Sequence, residues 1–118
     1  MENKIIIEGL RIYAYHGVMG QERQIGAYFI IDLEATTLFA SSMNTDDLTD
    51  TVSYADLFQI VQHEMAIPSR LVEHVAGRIA HAILEQYPSI QSLRLKILKE
   101  NPPMGADCTG AGVEITLP

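Results

Sequence analysis

The sequence predicts an α+β domain in which an antiparallel four-stranded sheet carries two helices on one face. Three observations predict it. Apolar and polar residues alternate over residues 4–16, 25–38, 92–99 and 110–117, the two-residue period of half-buried strands. Between the second and third of these, residues 53–65 and 70–86 change to helical spacing. The order β-β-α-α-β-β then gathers strands at both ends of the chain and helices in the middle, which favours segregated layers over a parallel sheet. With 118 residues, the chain from 1 to 118 reads as a single domain.

Each element follows from its own pattern. In the first strand Leu10, Ile12 and Ala14 face one way and Arg11, Tyr13 and Tyr15 the other. "HGVMGQERQIG", residues 16–26, reads as a loop. The second strand sets Phe29, Ile31, Leu33 and Ala35 opposite Asp32, Glu34 and Thr36. "SSMNTDDLTDT", residues 41–51, reads as a polar connection. Ser53 with Asp56 is a capping-box pattern, and it opens a helix whose stripe is Leu57, Ile60 and Val61, ending near Met65. Pro68 separates this helix from the next, where Val72, Val75, Ala76, Ile79 and Ile83 share one sector and His74 and His81 lie on the far side. After Pro88 come the last two strands, the final one aligning Ala111, Val113, Ile115 and Leu117. Such long strands leave exposed sheet edges, so pairing with another copy of the chain is expected.

Composition removes several functions. A formal charge of −7 with only 8 Lys+Arg disfavours nucleic acid, since phosphate binding needs clustered cations. Near the start the longest apolar run is 5–7, far short of a signal peptide or membrane span, so a soluble cytoplasmic protein is expected. Cys108 is the only cysteine, which leaves no internal disulfide and no paired zinc spacing. His16, His63, His74 and His81 form no plausible ligand triplet, so no metal is expected. Neither a GxxxxGK[ST] nor a GxGxxG loop occurs, and a nucleophile elbow is missing too; no cofactor is expected.

Four residues stand out for chemistry. In "LRLKILKENPPMGAD", residues 93–107, Lys99 has the parity of Leu93, Leu95 and Ile97, so a charged amine ends a buried row. One reading is a lysine that lifts its ammonium to water along an apolar stem, or is turned outward by a bulge. The other is a partly desolvated proton-transfer group, held in place by a turn that Pro102 and Pro103 stiffen. Glu73, in the first turn of its helix, suits the positive end of the helix dipole, or alternatively grips a guanidine-like heterocycle edge through two N–H bonds. Glu22 reads on its own as a solvent-facing loop carboxylate. Tyr54 covers the start of a helix or donates a proton to something bound there.

Taken together, "YAYHGV" at 13–18, Glu22, "DDLTDTVSYADL" at 46–57, "LVEHVAGRIA" at 71–80 and "LKENPP" at 98–103 closely resemble the dihydroneopterin aldolases of folate biosynthesis, in order and with the family's spacing. The resemblance implies the tunnelling fold, in which four sheets close into a β-barrel and two rings stack into an octamer. It implies a pterin substrate: 7,8-dihydroneopterin is cleaved to 6-hydroxymethyl-7,8-dihydropterin and glycolaldehyde, without metal or Schiff base. Residue by residue, it implies that Glu73 anchors the pterin amino and ring N–H groups and that Lys99 is the general acid and base. Tyr54 would reach in from the neighbouring subunit to handle the proton of the intermediate. Glu22 would lie near the trihydroxypropyl side chain, and Thr51, Val52 and Val72 would line the pterin slot. Glu100 departs from the family, where proline often follows the lysine; a neighbouring carboxylate would hold Lys99 more firmly protonated. Two rival readings are an epimerase of dihydroneopterin or its triphosphate, for which Arg23 is the main loop cation, and a non-catalytic pterin or purine binder.

Overall fold

The structure is a computed structural model that describes residues 3–38 and 40–118. Its sheet runs in the order β1 (Asn3–Ala14), β2 (Ala27–Thr37), β3 (Ser92–Lys99) and β4 (Ala111–Leu117), antiparallel throughout. Helices α3 (Tyr54–Met65) and α4 (Val72–Gln86) connect β2 to β3 and cover one face. The predicted order and layering are therefore observed.

Alternation decides which side chains enter the core. Phe29, Ile31, Leu33 and Ala35 of β2 and Leu93, Leu95 and Ile97 of β3 are buried against Leu57, Val61 and Met65 of α3 and Val75, Ala76, Ile79 and Ile83 of α4. Each large apolar side chain so buried contributes about 1.5–3 kcal/mol. In β1 the apolar parity changes, from Ile5 and Ile7 to Leu10, Ile12 and Ala14. A bulge reconciles the two sets: the register steps from Ile7↔Leu33 to Leu10↔Ile31, so Glu8 and Gly9 together face Asp32. Gly9 takes φ 67°, and its N–H donates to Asp32 Oδ1 at 2.8 Å.

The opposite face of the sheet mixes apolar side chains such as Ile6, Tyr13 and Tyr28 with charged ones. Lys4, Glu34, Arg94 and Glu114 form a cross-strand ladder of ion pairs there, at 3.5, 3.2 and 2.9 Å. These exposed pairs contribute little energy and chiefly match the strands in register. No helix among the described residues is long and apolar enough to cross a membrane.

Two segments read as loops contain short helices. Within residues 16–26 lies α1 (Gly20–Ile25), and within residues 41–51 lie most of α2 (Ala40–Thr45) and a 3-10 turn (Leu48–Asp50). Helix α1 buries no residue, so it has no apolar stripe by which a sequence reading could find it. Ser53 is the N-cap of α3 as predicted, yet its hydroxyl makes no capping bond, and Asp56 instead accepts from the Tyr87 hydroxyl at 3.2 Å. β1 and β2 are each shorter than predicted, ending at Ala14 and beginning at Ala27.

Candidate active site

Lys99 closes β3 directly opposite Phe29 of β2, on the core face, and it is only 9% exposed. Its ammonium lies 5.6 Å from the Phe29 ring centroid. Beyond it Asn101 turns through φ 48°, a left-handed conformation that asparagine tolerates, and Pro102 and Pro103 end the ladder. The inward row that parity assigns to Lys99 is therefore the row it occupies.

An isolated ammonium there would be costly. Two acceptors offset the burial: Glu22 Oε2 at 2.5 Å and the His16 carbonyl at 3.0 Å. Glu22 is not the solvent-facing side chain its loop position suggests, since its carboxylate is half-buried. Helix α1 aims it at Lys99, and the Met19 N–H donates to its other oxygen at 3.1 Å. Lys99 first, and Met19 second, hold the Glu22 carboxyl below the usual carboxylate range. Arg23 ties the same loop by donating to the carbonyls of Gly17 at 2.7 Å and Val18 at 2.9 Å. Gly17 is needed where it stands, because a Cβ there would meet Glu22 Cβ at 2.3 Å.

Glu100 takes no part in this pair. Strand alternation points it to the other face, where its two oxygens receive Nε and Nη2 of Arg11, each at 3.0 Å. The expectation that Glu100 would hold Lys99 protonated is thus corrected: the carboxylate beside Lys99 comes from 77 residues away.

Glu73 and Val72 begin α4, Glu73 exposed and Val72 half-buried. The loop before α4 is fastened to the Lys99 end of the sheet. Ser69 N–H donates to His16 Nδ1 at 3.0 Å, and Gly17 N–H donates to the Ser69 carbonyl at 3.0 Å. A cleft of about 250 Å³ opens beside Glu22 and Lys99, walled by Met19, Ile25, Asn101 and Pro103.

Tyr54, Thr51 and Val52 lie elsewhere. Tyr54 begins α3 and is 69% exposed, Thr51 is half-buried and Val52 is buried. They line a cleft of about 490 Å³ together with Ile5 and Ile6. Ile5 pairs with Ala35, whereas Lys99 pairs with Phe29, so the two clefts are separated by six strand residues, about 20 Å along β2. One chain brings Lys99 and Glu22 together but does not bring Tyr54 to them.

His16, which sequence reasoning considers only as a metal ligand, supplies the second acceptor for Lys99 through its carbonyl. The signal that could have found it is the "HG" directly after a strand, where ladder bonds stop. No group of three or more His, Cys, Asp or Glu among the described residues is placed to hold a metal ion.

Known proteins resemble this chain in sequence and fold. The family profile of FolB, dihydroneopterin aldolase, matches residues 5–116. The dihydroneopterin aldolase of Streptococcus pyogenes serotype M18 is 36% identical over 117 residues, covering 96% of both chains. That of Staphylococcus epidermidis is 36% identical over 116 residues, covering 98% of this chain and 96% of its own. Escherichia coli dihydroneopterin aldolase, solved in complex with neopterin, superposes with a TM-score of 0.90 at 26% identity, covering 98% of this chain and 99% of that one. The match spans every strand and both large helices of the fold described above, and by it the chain belongs to the dihydroneopterin aldolase family.

Proposed function

We propose that Lys99 and Glu22 form the proton-transfer end of a pterin site that a neighbouring copy of the chain completes with Tyr54, Thr51 and Val52. As a dihydroneopterin aldolase, the protein is a lyase that cleaves 7,8-dihydroneopterin by a retro-aldol reaction. Cleavage removes the proton of the 2′-hydroxyl, and the C1′–C2′ electron pair passes toward the protonated pterin ring. C2′ departs within glycolaldehyde, and protonation of the enol at C1′ gives 6-hydroxymethyl-7,8-dihydropterin. Each step moves a proton, which a constrained amine and a phenol can do without metal or Schiff base. Glu73, exposed in the first turn of α4 after a loop that Ser69 ties to His16, is suited to receive the pterin amino and ring N–H groups.

The observation that carries this reading is the Lys99 ammonium, clamped by Glu22 and the His16 carbonyl at the edge of a cleft. The separation of the two clefts, about 20 Å along β2, supports a site shared between chains, with the outer strands β1 and β4 as the edges that join. Four such sheets would close a barrel and two barrels would stack into an octamer. Arg23, the loop cation that a triphosphate would require, is engaged with Gly17 and Val18, which favours the unphosphorylated substrate. Incubation with dihydroneopterin after dialysis against a strong chelator, followed by chromatography, tests the proposal. Glycolaldehyde and the hydroxymethyl pterin are expected at an undiminished rate. Formation of the 2′-epimer alone, or loss of activity that zinc restores, would overturn it.

A further inference from the structure

Beyond the residues that would touch substrate, one buried side chain controls where the Lys99 ammonium points. An ammonium has three N–H donors. In Lys99 one is given to Glu22 and one to the His16 carbonyl, so a single donor remains and its direction is set by the other two. The position of the His16 carbonyl therefore helps set where the remaining donor points.

Strand pairing does not hold that carbonyl, because β1 ends at Ala14 and His16 lies past the last ladder pair, Ala14↔Ala27. Two bonds to Ser69 hold it instead: the Gly17 N–H of the same peptide unit donates to the Ser69 carbonyl at 3.0 Å, and the His16 ring fastens the other side of that unit. His16 is 1% exposed, with Nδ1 receiving the Ser69 N–H at 3.0 Å and the ring set edge-on to Phe29 at 5.2 Å. Phe29 is the residue opposite Lys99, so ring and ammonium share one neighbour. Ser69 is a firm post: Arg78 donates to its hydroxyl at 2.9 Å, and His74 Nδ1 lies 2.7 Å from the same oxygen. Arg78 is in turn fixed to the Glu64 carboxylate at 2.8 Å and to the Ile67 carbonyl at 2.7 Å. Nδ1 accepts only if it carries no proton, which requires the neutral ring protonated at Nε2. Among the described residues Nε2 makes no full hydrogen bond, and the Met65 backbone adds only a weaker contact, so Nδ1 carries the ring's one well-formed bond.

We propose that His16 is a positioning residue for the aldolase reaction: hung on the Ser69 N–H, it fixes its own carbonyl where that carbonyl shares the Lys99 ammonium with Glu22. The inference rests on the reading of Lys99 as the proton-transfer group. A ring present only to fill the core would be replaceable by any side chain of similar volume. A positioning ring is replaceable only by one that returns an acceptor to the place of Nδ1. Asparagine does so with Oδ1, leucine has no acceptor, and glutamine carries its oxygen one methylene too far.

The test compares His16→Leu, His16→Asn and His16→Gln in assembled protein, in the wild-type and Lys99→Met backgrounds, with dihydroneopterin as substrate. His16→Leu should lower kcat at least tenfold with KM changed less than threefold, and His16→Asn should recover most of the rate. In Lys99→Met protein, itself slow, His16→Leu should cost less than twofold more. Normal kcat in His16→Leu, equal rates for the leucine and asparagine variants, or an undiminished loss in the Lys99→Met background would overturn the inference. If the leucine variant does not fold, the other two decide: asparagine fast and glutamine slow supports the proposal, and equal rates refute it. Unimpaired turnover by Lys99→Met would instead overturn the reading of Lys99 itself.

Discussion

Gly17→Ala offers a sharp probe of the Glu22–Lys99 pair, because it places one methyl group against one side chain. Gly17 is not in the left-handed region, so its backbone accepts alanine without strain. The added Cβ would lie 2.3 Å from Glu22 Cβ, 2.7 Å from Cδ and 2.9 Å from Oε2, the oxygen that binds Lys99. Non-bonded carbons rest at about 3.5–4.0 Å. Glu22 must therefore retreat by more than about 1 Å, which stretches its 2.5 Å bond to Lys99 to the limit of a hydrogen bond. A hydrogen bond to a charged group contributes roughly 1.5–3 kcal/mol. If that is lost from the transition state, kcat/KM falls roughly ten- to a hundredfold. Steady-state turnover of dihydroneopterin by assembled Gly17→Ala protein measures the loss. A double-mutant cycle attributes it, since Glu22→Gly removes all three clashing atoms and the alanine should then cost less than about twofold. Full activity of Gly17→Ala, or an equal loss in the Glu22→Gly background, would refute the steric route through Glu22.

Three further outcomes are expected. Glu73→Gln should weaken binding of the hydroxymethyl pterin by about 2–4 kcal/mol, because an amide loses the charge-assisted pair; calorimetry giving near-normal affinity contradicts the anchor role. Lys99→Ala and Tyr54→Phe should each lose about a hundredfold in rate. Co-assembled hybrids of the two, purified by separate tags, should regain activity through boundaries that unite an intact lysine with an intact tyrosine, and hybrids without recovery exclude a shared site. Acid should destabilise the fold through His16, whose ring is pushed by burial and by the nearby Arg78 charge from 6.5 down to about 4. Because the folded value is depressed, the neutral ring's contribution is complete above pH 6.5 and is lost as pH falls toward 4, roughly 3 kcal/mol in all. Urea unfolding at pH 7 and 4.5 should show that decline in the wild type and a shallower one in His16→Asn.

The longest elements are legible in the chain alone. Two-residue alternation places β3 at residues 92–99 and locates the core residues of β2, because side-chain direction in a strand depends only on parity. The stripe of Val75, Ala76, Ile79 and Ile83 does the same for α4, and parity alone puts Lys99 on the buried face. Helix α1 escapes because six residues without a buried face carry no period. Partners across the fold escape for a different reason. Adjacency in sequence suggests Glu100 for Lys99, but neighbours in a strand point to opposite faces. Glu22 becomes the partner only when β2 pairs with β3, bringing Phe29 opposite Lys99, and when Gly17 lets α1 approach. Burial of the strand and helix faces, and the choice of Lys99 as the residue that breaks the apolar row, are thus written in the local pattern of the chain. That the His16 carbonyl is the ammonium's second acceptor, and that the cleft beside Tyr54 opens about 20 Å along β2 from the one beside Lys99, came from the folded arrangement instead, because strand register and loop closure are set through space.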